Sequence, residues 1–168
     1  GDTVDKSLYL KAFAELKSSI VRHRIFTESI RLDNRSPRQV RPITGQVNWV
    51  PTPHGSAVFT RGETQACVSC TLGSDKDVLK LQTVYGDDEN SFFLHYSFPP
   101  YSVGEVRPMR GPGRREVGHG TLACRALSYT IPDYESFPYT IRVFSEITES
   151  NGSSSMATVC GGRLSLMD

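Results

Sequence analysis

The tightest constraint in this sequence is a change of period partway along the chain. Between residues 47 and 98 apolar side chains recur at every second position, as a half-buried strand requires. In Ala66-Cys67-Val68-Ser69-Cys70-Thr71-Leu72, one face carries Ala66, Val68, Cys70 and Leu72, and the other carries Cys67, Ser69 and Thr71. In Ser91 to Phe98, Phe92, Leu94, Tyr96 and Phe98 alternate with Phe93, His95 and Ser97. Further strands are predicted at Val47 to Val50, Ala57 to Thr60 and Leu79 to Tyr85, with Asp87-Asp88-Glu89-Asn90 as a turn.

Beyond Phe98 a stretch holding Pro99, Pro100, Pro108 and Pro112 with Gly104, Gly111 and Gly113 interrupts the pattern. It reads as an irregular loop, a natural place for function. The period then becomes helical. Gly120, Ala123, Cys124, Leu127 and Ile131 form the buried stripe of a helix that starts near Arg114 and ends at Pro132. A strand follows from Tyr139 to Ile147. The turn Ser150-Asn151-Gly152 leads into a last helix with the stripe Met156, Cys160, Leu164 and Met167. At the other end, Tyr9, Phe13, Leu16 and Ile20 mark an amphipathic helix from about Asp5 to Arg24. Asp2 and Asp5 lie at its start and Arg22, His23 and Arg24 at its end, as a helix dipole favours. The order predicts an α+β fold, with helices packed on a mostly antiparallel or mixed sheet.

Composition narrows the function classes. The 168 residues are 38% hydrophobic and 22% charged, which suits a globular domain and excludes a disordered tail or a heptad coil. No apolar run reaches the roughly 18–20 residues of a membrane span. The acidic start, Gly1-Asp2-Thr3-Val4-Asp5, is unlike a signal peptide and has no initiator Met, so a piece of a longer protein is expected. The formal charge of +1 conceals two clusters: Arg22, Arg24, Arg31, Arg35, Arg38 and Arg41, then Arg107, Arg110, Arg114 and Arg115. They are either solvated faces or local anion sites. Cys67 and Cys70 fall on opposite strand faces, which precludes a shared metal, and all four cysteines read as reduced structural thiols. Such thiols fit the cytoplasm or an organelle matrix.

Two segments carry candidate chemistry. Asn151-Gly152-Ser153-Ser154-Ser155 places three serines at a helix start. Amides there carry partial positive charge and can hold a phosphate, and a serine there can equally act as an ordinary N-cap. Gly113-Arg114-Arg115-Glu116-Val117-Gly118-His119-Gly120 sets Arg115 and His119 four apart on one helix face. The arginines can grip a phosphodiester while His119 donates a hydrogen bond or moves a proton. Alternatively, they pair with Glu105 and Glu116. His54 and Ser56 are too close in sequence to form a nucleophile–base pair, and Arg61 and Glu63 are expected to make structural contacts between strands. Phosphate-loop, dinucleotide and zinc-protease motifs are absent.

Several long motifs, in order, resemble the polynucleotide phosphorylase family. They are His54 to Ala66 (HGSAVFTRGETQA), Phe98 to Glu105 (FPPYSVGE), Pro112 to Gly120 (PGRREVGHG), Phe137 to Val143 (FPYTIRV) and Ser145 to Gly162. The resemblance is to the second of that family's two ribonuclease PH-like core domains. It makes residues 1–30 the end of a helical linker and 31–168 the N-terminal part of the core. It implies 3′-to-5′ phosphorolysis of RNA, in which inorganic phosphate releases nucleoside 5′-diphosphates reversibly. Ser153, Ser154 and Ser155 then match the phosphate-holding run, and Arg114, Arg115 and His119 the catalytic group. Magnesium, single-stranded RNA 3′ ends and a homotrimeric parent are implied too. Asp33-Asn34-Arg35 departs from the usual Asp-Gly-Arg, and Thr52-Pro53-His54 from Arg-Thr-His. The family's magnesium-binding aspartates lie past Asp168, so the fragment alone is expected to be inactive. The alternative is a non-catalytic RNA- or phosphate-binding scaffold, like the inactive subunits of exosome rings.

Overall fold

The computed structural model describes residues 5–84 and 86–168; the expectations for Asp2 and Tyr85 lie outside them. The chain divides into two compact units, one ending at Arg41 and the other starting at Pro42.

The first unit holds helix α1 (Lys6–Glu28). Asp5 caps it by accepting from the Ser7 amide at 3.0 Å, and Ser29 ends it in the left-handed conformation. The helix outruns the expected end by one turn, so Arg22, His23 and Arg24 lie inside it. Arg24 pairs with Glu28 at 2.8 Å rather than meeting a free helix end. Tyr9, Phe13, Leu16 and Ile20 are 57–67% exposed. At Asn34, where the resemblance expects glycine, φ is 63°, a conformation that asparagine tolerates better than most residues.

The second unit is built on a five-stranded sheet of β1 (Ile43–Val47), β2 (Gly55–Arg61), β3 (Gln65–Gly73), β6 (Phe92–Ser97) and β7 (Thr140–Glu149). Its order is β1-β2-β3-β7-β6. Every neighbouring pair is antiparallel except β6 and β7, which are parallel. Parallel neighbours need a crossover, and helix α2 (Arg114–Ser128) lies within it. Helix α3 (Ser154–Met167) follows β7. Both helices pack on one face of the sheet, where Phe59, Val68, Leu94, Tyr96, Val143 and Ile147 meet Ala123, Leu127 and Ala157. The mixed sheet and the α2 residues Gly120, Ala123, Cys124 and Leu127 agree with the periodicity; the helix ends at Ser128, a turn short of Pro132, so Ile131 lies beyond it, half-buried against the core.

Three local expectations are corrected. Strand β1 ends at Val47 instead of starting there, because Asn48 turns to φ 50° and its amide donates to Ser56 O at 2.9 Å. The acidic run Gly86–Asn90 is strand β5, paired with β4 (Leu79–Thr83) in a separate hairpin. There Lys80 offsets the acids by pairing with Glu89 at 3.3 Å. The third correction concerns α3. Three of its four expected core residues point outward: Met156 is 38% and Met167 67% exposed, and Cys160 is exposed, while Leu164 stays half-buried against the core. The buried face is Ser154, Ala157, Thr158, Gly161, Gly162 and Ser165.

This inversion follows from how closely the helix sits. A Cβ at Gly161 would lie 2.7 Å from Val68 Cγ2, and one at Gly162 2.7 Å from Leu127 Cδ1. Only glycine fits such gaps without displacing its neighbours. Gly161→Val is therefore expected to destabilise the protein by about 2 kcal/mol through overpacking. Cys160→Ala, one residue earlier on the exposed face, should stay within about 0.5 kcal/mol. Equilibrium denaturation of the two variants checks this.

Candidate active site

The topology brings two helix starts together. Strands β6 and β7 are parallel neighbours, so their C-terminal ends lie at the same edge of the sheet, and each leads into a helix. Helix N-termini favour anions.

At the start of α3, Gly152 has φ 89° and Ser153 φ 54°. Two successive left-handed residues turn the chain sharply out of β7. Ser153 occupies the N-cap position, but its side chain makes no capping hydrogen bond. The serine run is thus not an ordinary side-chain cap. The three serines diverge. Ser153 is exposed and Ser155 half-buried. Ser154 is buried, with Oγ 2.7 Å from the Tyr96 hydroxyl. Below it, Thr158 donates to Ser154 O at 3.2 Å, and Ser145 and Thr158 share a buried hydroxyl pair at 2.8 Å.

The turn is gripped from behind by the β2–β3 hairpin. Arg61 Nη2 donates to Gly152 O at 3.2 Å and to Ser153 O at 3.1 Å. Buried Thr64 donates from Oγ1 to Gly152 O at 3.2 Å and accepts from the Asn151 amide at 2.9 Å. Glu63 accepts from Asn151 Nδ2 at 2.8 Å. Arg61 and Glu63 therefore serve the serine turn, a role wider than the strand-to-strand contacts expected of them.

At the start of α2, Glu116 makes a box. Its carboxylate accepts from the Gly113 amide at 2.8 Å and from the Phe98 amide at 2.9 Å, which ties the helix to the end of β6. That use of Glu116, and the pairing of Glu105 with Arg107 at 3.2 Å, leave Arg114 and Arg115 outside the ion pairs of the described residues. Both arginines are exposed. The Arg115 guanidinium lies 5.9 Å over the Phe98 ring, where a cation–π contact orients it. Phe98 stacks on Tyr96 at 6.3 Å, and the edge of His119 meets Tyr96 at 5.2 Å. His119 Nδ1 is buried without a hydrogen-bond partner.

Tyr96 joins the two halves, with its hydroxyl on Ser154 and its ring between Phe98 and His119. Burial pushes its phenol above the ordinary value and Glu116 adds to this, while Ser154 and the Arg115 charge oppose it. The group is neutral at physiological pH. Sequence reading placed Tyr96 on the buried strand face but gave it no part in the site. A hydroxyl on an otherwise apolar face was the available signal, since a buried phenol needs a partner.

Other candidates do not assemble. His54 Nδ1 accepts from the Leu72 amide at 3.0 Å, while Ser56 Oγ bonds the Val50 backbone at 3.1 Å, so the two serve different local contacts. Burial raises the Cys70 thiol to about 11 and also raises Cys67 and Cys124, which keeps these thiols protonated. Among the described residues no group of three or more His, Cys, Asp or Glu could hold a metal ion. The side chains present therefore do not make a magnesium site, and no step is assigned to one. No helix among the described residues is long and apolar enough to cross a membrane.

Nearly the whole chain aligns with bacterial polyribonucleotide nucleotidyltransferases. The Thermodesulfovibrio yellowstonii protein is 55% identical over 167 residues, 98% of this chain and 24% of its own length. The Caulobacter vibrioides protein is 57% identical over 156 residues, 93% of this chain and 22% of its own length. The chain thus spans about a quarter of the length of these curated relatives. Among solved structures, a chain of the Archaeoglobus fulgidus exosome with RNA bound to the active site superposes with a TM-score of 0.68. It covers 93% of this chain and 62% of the exosome chain at 17% identity, a likeness of fold alone. The model of domain 1 of the 3′ exoribonuclease family, RNase PH, matches residues 39–168. With a mixed sheet and two helices on one face, this chain belongs to that RNase PH family.

Proposed function

We propose that this chain supplies the phosphate-binding half of a 3′-to-5′ phosphorolytic exoribonuclease, a polyribonucleotide nucleotidyltransferase. The observation that carries the reading is the uncapped serine turn at the start of α3, joined through Tyr96 to the helix bearing Arg115 and His119. The names of the relatives support the same activity. Residues 1–30 are read as the end of a linker helix and 31–168 as part of the core domain.

In this reading inorganic phosphate sits at the amides of Ser153, Ser154 and Ser155 and the hydroxyls of Ser153 and Ser155, with the Ser154 hydroxyl holding the turn from below. Arg114 and Arg115 bind oxygens of the terminal RNA phosphodiester and offset charge as it develops on the transferred phosphorus. A phosphate oxygen forms a bond to that phosphorus while the bond to the 3′ oxygen of the preceding nucleotide breaks. The products are a nucleoside 5′-diphosphate and an RNA one nucleotide shorter, whose new 3′ hydroxyl takes a proton. His119, with a ring nitrogen unpartnered, is placed in the role of hydrogen-bond donor or proton carrier. Magnesium belongs to this activity by family resemblance, as do a homotrimeric parent and a location in the cytoplasm or an organelle matrix.

The direct test is release of nucleoside diphosphate from polyadenylate by the full-length protein, with and without phosphate. Strictly phosphate-dependent release is expected. Equal degradation without phosphate would refute phosphorolysis, and no turnover at all would favour the scaffold reading. Ser155→Ala should raise KM for phosphate about tenfold, the cost of one hydrogen bond to a charged ligand. Arg115→Ala should lower kcat/KM at least about tenfold. Tyr96→Phe strands the buried Ser154 hydroxyl and should cost about 1–2 kcal/mol of stability in equilibrium unfolding.

A further inference from the structure

Gly152 and Ser153 both hold a positive φ, and the β2–β3 hairpin bonds their carbonyls. We propose that Arg61, helped by Thr64, is a positioning residue that locks the Gly152–Ser153–Ser154 backbone so that consecutive amides face the incoming phosphate. This inference rests on the phosphate reading of the serine turn given above.

In a trans peptide the C=O and the N–H point in opposite directions, and no cis peptide occurs among the described residues. Arg61 draws the carbonyls of Gly152 and Ser153 toward itself. The amides on the far side of those two peptide units belong to Ser153 and Ser154, so both are turned away from the hairpin. Thr64 fixes the first carbonyl a second time and also holds the Asn151 amide. A left-handed serine is strained, and these bonds offset that strain before ligand arrives. A preformed site loses less entropy on binding.

Charge points the same way. Arg61 has no carboxylate among the ion pairs of the described residues, and its Nε is buried without a partner. A half-buried cation held behind the helix start adds positive field where the anion is to sit, and the Glu63 carboxylate of the same hairpin bonds Asn151 rather than Arg61. Arg61 polarises both carbonyls directly, which makes the attached amides better donors. Lysine could keep the charge but would not reproduce the planar guanidinium that bridges two carbonyls.

The test is the phosphorolysis kinetics of the full-length protein, with KM for phosphate, KM for polyadenylate and kcat measured separately. Arg61→Ala should raise KM for phosphate about tenfold or more, with kcat at saturating phosphate and KM for RNA each within about twofold of the parent. Arg61→Lys should recover part of the loss. A merely structural role would instead lower the amount of active enzyme, and so kcat, while leaving KM for phosphate unchanged. Should Arg61→Ala fail to fold, Arg61→Lys and Thr64→Val carry the test, and each must raise KM for phosphate. The parent-like phosphate KM in these variants, beside a raised one in Ser155→Ala, would overturn the clamp and leave the phosphate reading standing. Parent-like values in Ser155→Ala as well would overturn both.

Discussion

Gly161 and Gly162 let α3 lie against Val68 and Leu127 at a distance where a single added methyl would collide with either side chain. That close seat sets the position of everything at the helix start. It brings Ser154 within 2.7 Å of the Tyr96 hydroxyl and Thr158 onto Ser145. It also leaves the Gly152–Ser153 turn within reach of Arg61 and Thr64. A helix packed through larger side chains would stand further from the sheet, and these short polar contacts could not all form.

The second constraint is topological. Because β6 and β7 run parallel as neighbours, the segments after them emerge at one edge of the sheet. Two helix N-termini with their partial positive charge therefore converge, one bringing the Arg114–Arg115 pair and the other the serine turn. Glu116 would work against this charge if it faced the site freely. Instead it is spent on the amides of Gly113 and Phe98. Tyr96 spans the gap as a neutral, buried group and touches both halves, so it joins the serine turn to the helix of the arginine pair without placing a carboxylate between them.

Much of this was legible in the sequence because periodicity reports burial. The alternation in 66–72 and 92–98 marked the strands, and the Gly120-Ala123-Cys124-Leu127 stripe marked the buried face of α2. The same reasoning failed on α3 because it weighs apolarity, whereas a helix seated this closely needs thinness. Ser154, Ala157, Gly161 and Ser165 recur at helical spacing and carried the true signal, behind a more hydrophobic stripe of Met156, Cys160 and Met167. Asp87–Asn90 reads as a turn because acids are rare in strands. An exposed hairpin with Lys80 opposite Glu89 accommodates them. In the candidate site, the serines, the arginine pair and His119 stood out as residue types. Arg61, Thr64 and Tyr96 did not, since their roles come from partners about 60 to 90 residues away, and no local pattern encodes them.

Phosphate is proposed to bind at the start of α3, in a turn held open by the hairpin behind it. A crystal structure of the full-length protein with bound inorganic phosphate tests it most directly. The account predicts the anion within hydrogen-bond distance of the Ser153–Ser155 amides, with the Arg61 bonds to Gly152 and Ser153 intact. Phosphate bound elsewhere, with this turn empty at a concentration that saturates activity, would contradict it.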